Sequence, residues 1–178
     1  MIACLGWGSL IWNPDGLPIA GEWQKDGPRL PVEFTRVSGQ GRLTLVVTEG
    51  AQPIPVLWSL LSVASLDEAV QALAEREGCR RNAIGKWSAA RSSGHPECRP
   101  VGDWTCRRKL PAVIWTALKP GFPGKRGKPL TRQQALDHLR SLNGAELLGA
   151  EEYIRRTPPL IRTPYRAAIE SELGWTSA

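Results

Sequence analysis

The order of apolar and polar residues in the first third of the chain predicts β-strands. Residues 32–37 alternate between apolar and polar side chains, residues 42–48 are rich in β-branched residues, and residues 55–61 are almost all apolar. Turn-forming residues separate the three segments. We therefore expect three strands of one sheet, preceded by a short apolar strand over residues 1–5.

Helix start and stop signals occur further along the chain. Ser65 is a favourable N-cap, and Glu68 three residues later completes a capping box. Gly78 ends this helix. Thr131 and Gln134 form a second capping box, followed by apolar residues at helical spacing. These signals predict two amphipathic helices.

Two more helices are predicted towards the C-terminus. One lies near residues 145–155 and must end before the Pro-Pro pair at residues 158–159. The other begins after the N-cap Thr163, with a proline at its first position. Before these helices, residues 85–94 are predicted as irregular loop and residues 113–115 as a strand.

Length and composition fit a single domain. The chain has 178 residues, of which 42% are hydrophobic and 22% charged, which is enough to bury a core. The mixture of strands and helices predicts one α+β domain over residues 1–178. No run approaches the roughly 18 apolar residues of a membrane span, and the N-terminus lacks the basic segment of a signal peptide. We therefore expect a cytoplasmic protein with no membrane partner.

The first strand runs into a turn that contains two glycines. Residues 6–14 read Gly-Trp-Gly-Ser-Leu-Ile-Trp-Asn-Pro. Gly6 and Gly8 can adopt backbone angles that other residues avoid, so that the amides around Ser9 and Leu10 can converge on one point. Converging amides bind anions. The alternative is a plain strand end turned by two glycines.

This string resembles the Tyr-Gly-Ser-Leu or Tyr-Gly-Ser-Asn loop that opens the γ-glutamylcyclotransferase-like family, with Trp7 in place of the tyrosine. The helix ending in Glu-Arg-Glu-Gly at residues 75–78 follows in the family's order. Residues 76–87 and 153–175 look like a bacterial branch rather than the glutathione-specific enzymes. The resemblance implies a small mixed β-barrel with flanking helices. It also implies a transferase or lyase activity that cyclises a γ-glutamyl amine or peptide to 5-oxoproline, releases the amine and needs no cofactor.

Glu77 is the candidate acid/base residue. At roughly 100° per residue it falls within about 40° of the apolar stripe of its helix, whereas Glu75 falls on the opposite face. The stripe consists of Leu66, Val70 and Leu73. Burial and the helix C-terminus are expected to raise the pKa of Glu77. The alternative is a frayed last turn in which Glu77 pairs with Arg80 or Arg81.

The resemblance assigns roles to particular residues. Glu77 occupies the position of the family's catalytic acid/base, which takes a proton from the substrate's α-amine and returns it to the leaving amine. The implied substrate-binding residues are Trp7, Gly8, Ser9, Leu10, Ile11 and Tyr153. Helix packing alone also explains Tyr153. Ser9 is expected to donate a hydrogen bond rather than act as a nucleophile, because no nucleophile elbow surrounds it.

The net charge of +6 is concentrated in residues 107–109, 119–132 and 155–156. It suits a small acidic substrate such as a γ-glutamyl compound. Nucleic acid is not expected, because no helix-turn-helix, RNA-binding aromatic motif or zinc finger accompanies the charge. Two alternatives remain: a non-catalytic protein that binds an acidic metabolite on the same scaffold, and a basic RNA-binding protein. The role of residues 119–132 is not assigned.

The cysteines are interpreted as thiols, because a domain of this size does not need disulfides. A zinc site could in principle draw on Cys79, His95, Cys98 and Cys106. No Cys-x-x-Cys pair fixes their spacing, so no metal is expected. The fourth cysteine, Cys4, lies in the first strand.

Overall fold

The computed structural model describes residues 1–90, 92, 94–95 and 97–177. Outside them lie Arg91 and Ser93, which belong to the predicted loop over residues 85–94, and Pro96, which belongs to the stretch considered for zinc. The strands in the described part of the chain are β1 (Ile2–Gly6), β2 (Arg29–Leu30), β3 (Val32–Val37), β4 (Leu43–Val47), β5 (Ile54–Pro55), β6 (Leu57–Leu61), β7 (Ile84–Ser88) and β8 (Ala112–Thr116). The α-helices are α1 (Leu66–Arg76), α2 (Cys98–Arg107), α3 (Arg132–Ser141), α4 (Gly144–Arg156) and α5 (Pro164–Leu173).

The chain divides into two compact units, each built from three separate stretches of sequence. The first unit comprises Met1–Gly6, Asn13–Leu30 and Pro55–Leu118. The second comprises Trp7–Trp12, Pro31–Ile54 and the chain from Lys119 onward. The chain therefore passes repeatedly from one unit to the other. The expectation of one domain over residues 1–178 stays a prediction.

The first unit is built on a four-stranded sheet in the order β6-β1-β8-β7. β1 pairs antiparallel with β6 and parallel with β8, and β7 pairs antiparallel with β8. Helices α1 and α2 both contact β7 and β8. All five residues of β1 are buried, as expected for a strand in the centre of a sheet.

The second unit combines the antiparallel pair β3-β4 with helices α3, α4 and α5, and α5 contacts both β3 and α3. Glu33 of β3 is buried at 3% exposure. Its carboxylate accepts hydrogen bonds from the Thr163 hydroxyl, from the backbone N–H of Tyr165 at 3.2 Å and from that of Phe34 at 2.8 Å. Burial raises the pKa of Glu33, although the three hydrogen bonds act in the opposite direction. This buried carboxylate joins the start of α5 to β3.

The local signals for helix ends are confirmed, except that the capping box predicted at Ser65 is only half formed. Ser65 Oγ accepts from the Glu68 N–H at 3.1 Å at the start of α1, but the Glu68 carboxylate accepts from the Ala64 N–H at 2.8 Å instead of that of Ser65. Thr131 and Gln134 form a reciprocal capping box, with distances of 3.2 and 2.9 Å. α5 begins at a proline and ends at Gly174, whose φ is +69°. Caps depend on neighbouring residues only, so the sequence pattern locates them well.

Two expectations about strands are wrong. β3 and β4 pair with each other, whereas β6 pairs with β1, so the three early strands do not form one sheet. Residues 85–94 were expected to be irregular, but Ile84–Ser88 forms β7. A Cβ at Gly85 would lie 2.7 Å from Cδ2 of Trp115, so this glycine makes room for an indole within a strand.

The prediction of an α+β fold is confirmed. The four-stranded sheet of the first unit and the β3-β4 pair of the second are open, and no closed barrel is found in the described residues. Within those same residues, no helix has the length and apolar character required to cross a bilayer.

Candidate active site

The predicted binding loop contains a single turn of 3-10 helix over Ser9–Ile11, directly after β1. Gly8 precedes the turn with φ −130° and ψ −141°, and the Ile11 N–H donates to the Gly8 carbonyl at 3.0 Å. Neither Gly6 nor Gly8 has a positive φ. Neither glycine therefore adopts the left-handed conformation, although the ψ of Gly8 lies outside the main regions that other residues occupy.

The close approach of Tyr153 is a second reason for a glycine at position 8. A Cβ at position 8 would collide with the Tyr153 hydroxyl oxygen and lie 3.1 Å from its Cζ. Tyr153 lies on α4 and is only 7% exposed. The structure thus brings together two of the predicted site residues, through packing that any larger side chain at position 8 would disturb.

Aromatic rings and one cation surround this contact. The Tyr153 ring meets Trp12 edge-on at 5.4 Å between centroids, and Phe34 at 6.4 Å. The Arg156 guanidinium lies 5.5 Å from the centre of the Trp12 ring and also donates to Glu152 at 2.9 Å. Our sequence interpretation missed Trp12 and Arg156. Arg156 follows Tyr153 by three residues, a spacing that places two side chains on one helix face.

Trp7 and Leu10 are buried, at 5% exposure each. The Trp7 indole N–H donates to the Leu45 carbonyl at 3.2 Å. This hydrogen bond links Trp7 of the loop to β4. Ser9 and Ile11 are half-buried.

Glu77 lies immediately after the last residue of α1. Its N–H donates to the Leu73 carbonyl at 3.0 Å, so the backbone completes the final turn. Its side chain is 18% exposed, whereas Glu75 is exposed and accepts from Gln71 at 2.6 Å. The expected difference between the two faces of the helix is confirmed.

Arg76 is the ion-pair partner of Glu77. Nη1 of Arg76 lies 3.0 Å from Oε1 of Glu77, and Nη2 donates to the Asn13 carbonyl at 2.6 Å. The arginine side chain is 11% exposed. Our alternative interpretation assigned the pairing to Arg80 or Arg81; Arg81 in fact pairs with a carboxylate in the first turn of α1. A guanidinium at 3.0 Å stabilises the ionised carboxylate, the form in which a general base accepts a proton.

Cys4 of β1 interacts electrostatically with this ion pair. Burial raises the pKa of the Cys4 thiol, the negative charge of Glu77 raises it further, and Arg76 acts in the opposite direction. The thiol lies 3.6 Å from the Leu5 carbonyl. A fully buried thiol with a raised pKa is a poor nucleophile, so Cys4 packs as a small apolar residue.

The cysteines form no disulfide. They range from buried to exposed, in the order Cys4, then Cys79 and Cys98, then Cys106. The His95 ring meets Trp115 edge-on at 6.4 Å. In the described part of the chain, no three His, Cys, Asp or Glu side chains are grouped as ligands for a metal ion.

Comparisons of the chain with protein-family models, with curated proteins and with solved structures found no match. The candidate site residues form two groups. The loop group, in the second unit, consists of Trp7, Gly8, Ser9, Leu10, Ile11, Trp12 and Tyr153. The acid–base group, in the first unit, consists of Arg76 and Glu77.

Proposed function

We propose that this protein is a γ-glutamylcyclotransferase-like enzyme which converts a γ-glutamyl amine or peptide to 5-oxoproline and releases the amine. The observation that carries the proposal is Glu77, a half-buried carboxylate at the end of α1 that is paired with Arg76. The Arg76 contact to the Asn13 carbonyl supports a fixed position for this carboxylate. An ionised, partly desolvated and oriented carboxylate suits proton transfer.

The proposed reaction is intramolecular. Glu77 takes a proton from the substrate's α-ammonium group, and the freed amine nitrogen attacks the γ-carbonyl carbon. The new C–N bond closes the five-membered ring, the ring nitrogen loses a second proton as the lactam forms, and the bond from the γ-carbon to the leaving nitrogen breaks. Glu77 passes the two protons in turn to the leaving nitrogen, which departs as an ammonium group. Atoms and charges then balance without water or an oxidant. The enzyme has mainly to hold the chain folded and move protons from one nitrogen to the other.

The loop group is proposed to bind the substrate. In this proposal the amides of Gly8, Ser9 and Leu10 bind the α-carboxylate. The proposal is supported by the tight packing of Gly8 against Tyr153, which keeps the turn in one conformation. The Arg156 guanidinium beside Trp12 adds a positive charge in the same unit, which favours acidic compounds.

The test is direct. The purified protein is incubated with a panel of γ-glutamyl amino acids, γ-glutamyl amines and glutathione, and 5-oxoproline is measured together with the released amine. The proposal expects equimolar release of the two products from at least one panel member. Saturable binding without any product would instead favour the alternative, a protein that binds an acidic metabolite without turnover. If no panel member is bound and no product is formed, both the enzyme and the non-catalytic binding protein are rejected.

A further inference from the structure

A second charged feature of the protein is the stretch of residues 119–132, here called the basic loop. It contains five cations and no acidic residue. Four of the cations are exposed: Lys119, Lys125, Lys128 and Arg132. The fifth, Arg126, is half-buried and donates to the Gly121 carbonyl. The exposed cations account for a charge of +4 on a short segment.

The cations of the neighbouring helices are neutralised, whereas those of the basic loop are not. In α3, α4 and α5, four arginines each pair with a carboxylate: Arg140, Arg155, Arg156 and Arg166. Within the described residues, no carboxylate lies within ion-pair distance of any cation of the basic loop. The i,i+4 spacing in the sequence indicates three of these pairs, whereas only the structure shows that, within the described residues, no distant carboxylate reaches the basic loop.

The positive charge of Arg132, a residue of the basic loop, does not stabilise the helix in which it lies. Arg132 is the first residue of α3, and the first turn of that helix contains no acid. A cation at a helix N-terminus opposes the helix dipole, so this position favours an acidic residue instead. An exposed arginine there costs stability and gains no ion pair in return. A role in binding an anion accounts for its charge.

The basic loop is held in one conformation by backbone contacts. Gly121 donates its N–H to the Thr35 carbonyl at 2.8 Å and accepts from the Val37 N–H at 3.3 Å. Gly121 has φ +107°, and a Cβ there would lie 2.8 Å from the Lys128 carbonyl oxygen. The Gly127 N–H donates to the Pro120 carbonyl at 2.8 Å. Because the loop is already ordered, binding an anion costs less conformational entropy.

We propose that the basic loop binds the phosphate backbone of nucleic acid, independently of the proposed active site. Four exposed and unpaired cations match a repeating anion, and such binding is mainly electrostatic. The loop offers no apolar anchor: its aromatic residue, Phe122, is half-buried and meets His138 edge-on at 5.8 Å. In the described part of the chain, the exposed large hydrophobic residues are Met1 and Leu148, neither of which is in the loop. Protein interfaces and membrane surfaces usually require such anchors.

The test measures the affinity of the full chain for a fluorescein-labelled 20-nucleotide oligouridine by fluorescence anisotropy, between 50 and 200 mM salt. The loop variant carries Lys119→Gln, Lys125→Gln and Lys128→Gln. We expect its affinity at the lowest salt to fall at least tenfold. Its slope of log K against log salt should be shallower than that of the wild type by about 2, since each lost contact to a single strand removes about 0.7. Arginine at the same three positions should restore binding.

The matched control removes the same number of charges from exposed positions of the first unit. It carries Lys25→Gln, Arg99→Gln and Arg107→Gln, and its affinity should stay within twofold of the wild type. Equal losses in the two triple variants would overturn the proposal in favour of diffuse net charge. Two other results would also overturn it. One is that the wild type does not bind oligouridine. The other is loop-dependent binding to anionic lipid vesicles or polyglutamate without binding to the oligonucleotide. Thermal unfolding of each variant verifies that it is folded.

Discussion

The loop after β1 and the end of α1 are both held in place, but by different forces. The loop is fixed by shape: Gly8 leaves room for Tyr153, and the Trp7 indole reaches the Leu45 carbonyl. The end of α1 is fixed by charge, through the pair of Arg76 and Glu77. The loop should therefore be sensitive to added volume, whereas the end of α1 should be sensitive to lost charge. The two regions call for different substitutions.

The largest expected effect is on turnover, through the charge of Glu77. If the proposed function is correct, Glu77→Gln should lower kcat by about a hundredfold or more, because the amide keeps the shape but cannot carry the proton. Glu75→Gln is the matched control on the exposed face of the same helix and should change kcat less than twofold. Rates of 5-oxoproline formation give both values. Equal effects of the two substitutions would contradict the assignment.

The next effect tests shape in the loop. Gly8→Val places carbon atoms where the Tyr153 hydroxyl lies, so it should destabilise the fold by about 2 to 3 kcal/mol. Gly39→Val is the control, because a Cβ there meets nothing within 4 Å. Urea unfolding measures both free energies. The double variant with Tyr153→Phe should be less destabilised than the sum of the single changes. Strict additivity would show that the hydroxyl contact is not the cause.

A smaller effect tests charge pairing at the end of α1. Arg76→Gln removes the partner of a half-buried carboxylate and should lower the free energy of unfolding by about 1 to 2 kcal/mol. Arg81→Gln breaks an exposed pair and should cost under about 0.5 kcal/mol. If the two changes cost the same in urea unfolding, burial does not strengthen the Arg76 contact.

The smallest expected effect concerns Glu33, a buried carboxylate held by neutral donors. Its pKa is raised in the folded protein. The folded state therefore binds a proton more tightly than the unfolded state, and the contribution of Glu33 to stability falls as pH rises from its ordinary value of 4.5 towards the raised pKa. Glu33→Gln should remove this fall. Urea unfolding at a series of pH values from 4 to 8 compares the free energies of unfolding of the wild type and of Glu33→Gln. The prediction is contradicted if the difference between these free energies stays constant, or if it grows in favour of the wild type as pH rises.

The sequence predicts features that depend on neighbours in the chain, and less well those that depend on distant partners. The caps at Ser65 and Thr131 could be located because cap and helix are adjacent. The partner of β6 could not, because strand patterns show which segments are strands and not which of them pair. Gly85 suggested a loop because the sequence around it does not show why a strand would need a glycine there. The reason is the Trp115 indole, which is thirty residues away.

The same distinction applies to the candidate site. The face of α1 that carries Glu77 follows from helical periodicity, whereas its pairing with Arg76 does not, since several arginines follow α1. Gly8 was singled out for its backbone angles, whereas the contact with Tyr153 that also requires a glycine could not be predicted, because Tyr153 lies far along the chain. Arg156 shares a helix face with Tyr153, so its position beside Trp12 could have been anticipated once Tyr153 was assigned.

The central place of β1 constrains how the chain can fold during synthesis. Its parallel pairing joins Ala3 to Val113 and Cys4 to Ile114. More than a hundred further residues must therefore be synthesised before β1 can pair with β8. At about 5 to 20 residues per second, that delay is on the order of ten seconds. Throughout it, one edge of an apolar strand lacks its native neighbour and is open to pairing with other chains. A slow folding step limited by contact order, and a need to protect β1 until β8 is made, follow from this single parallel pairing.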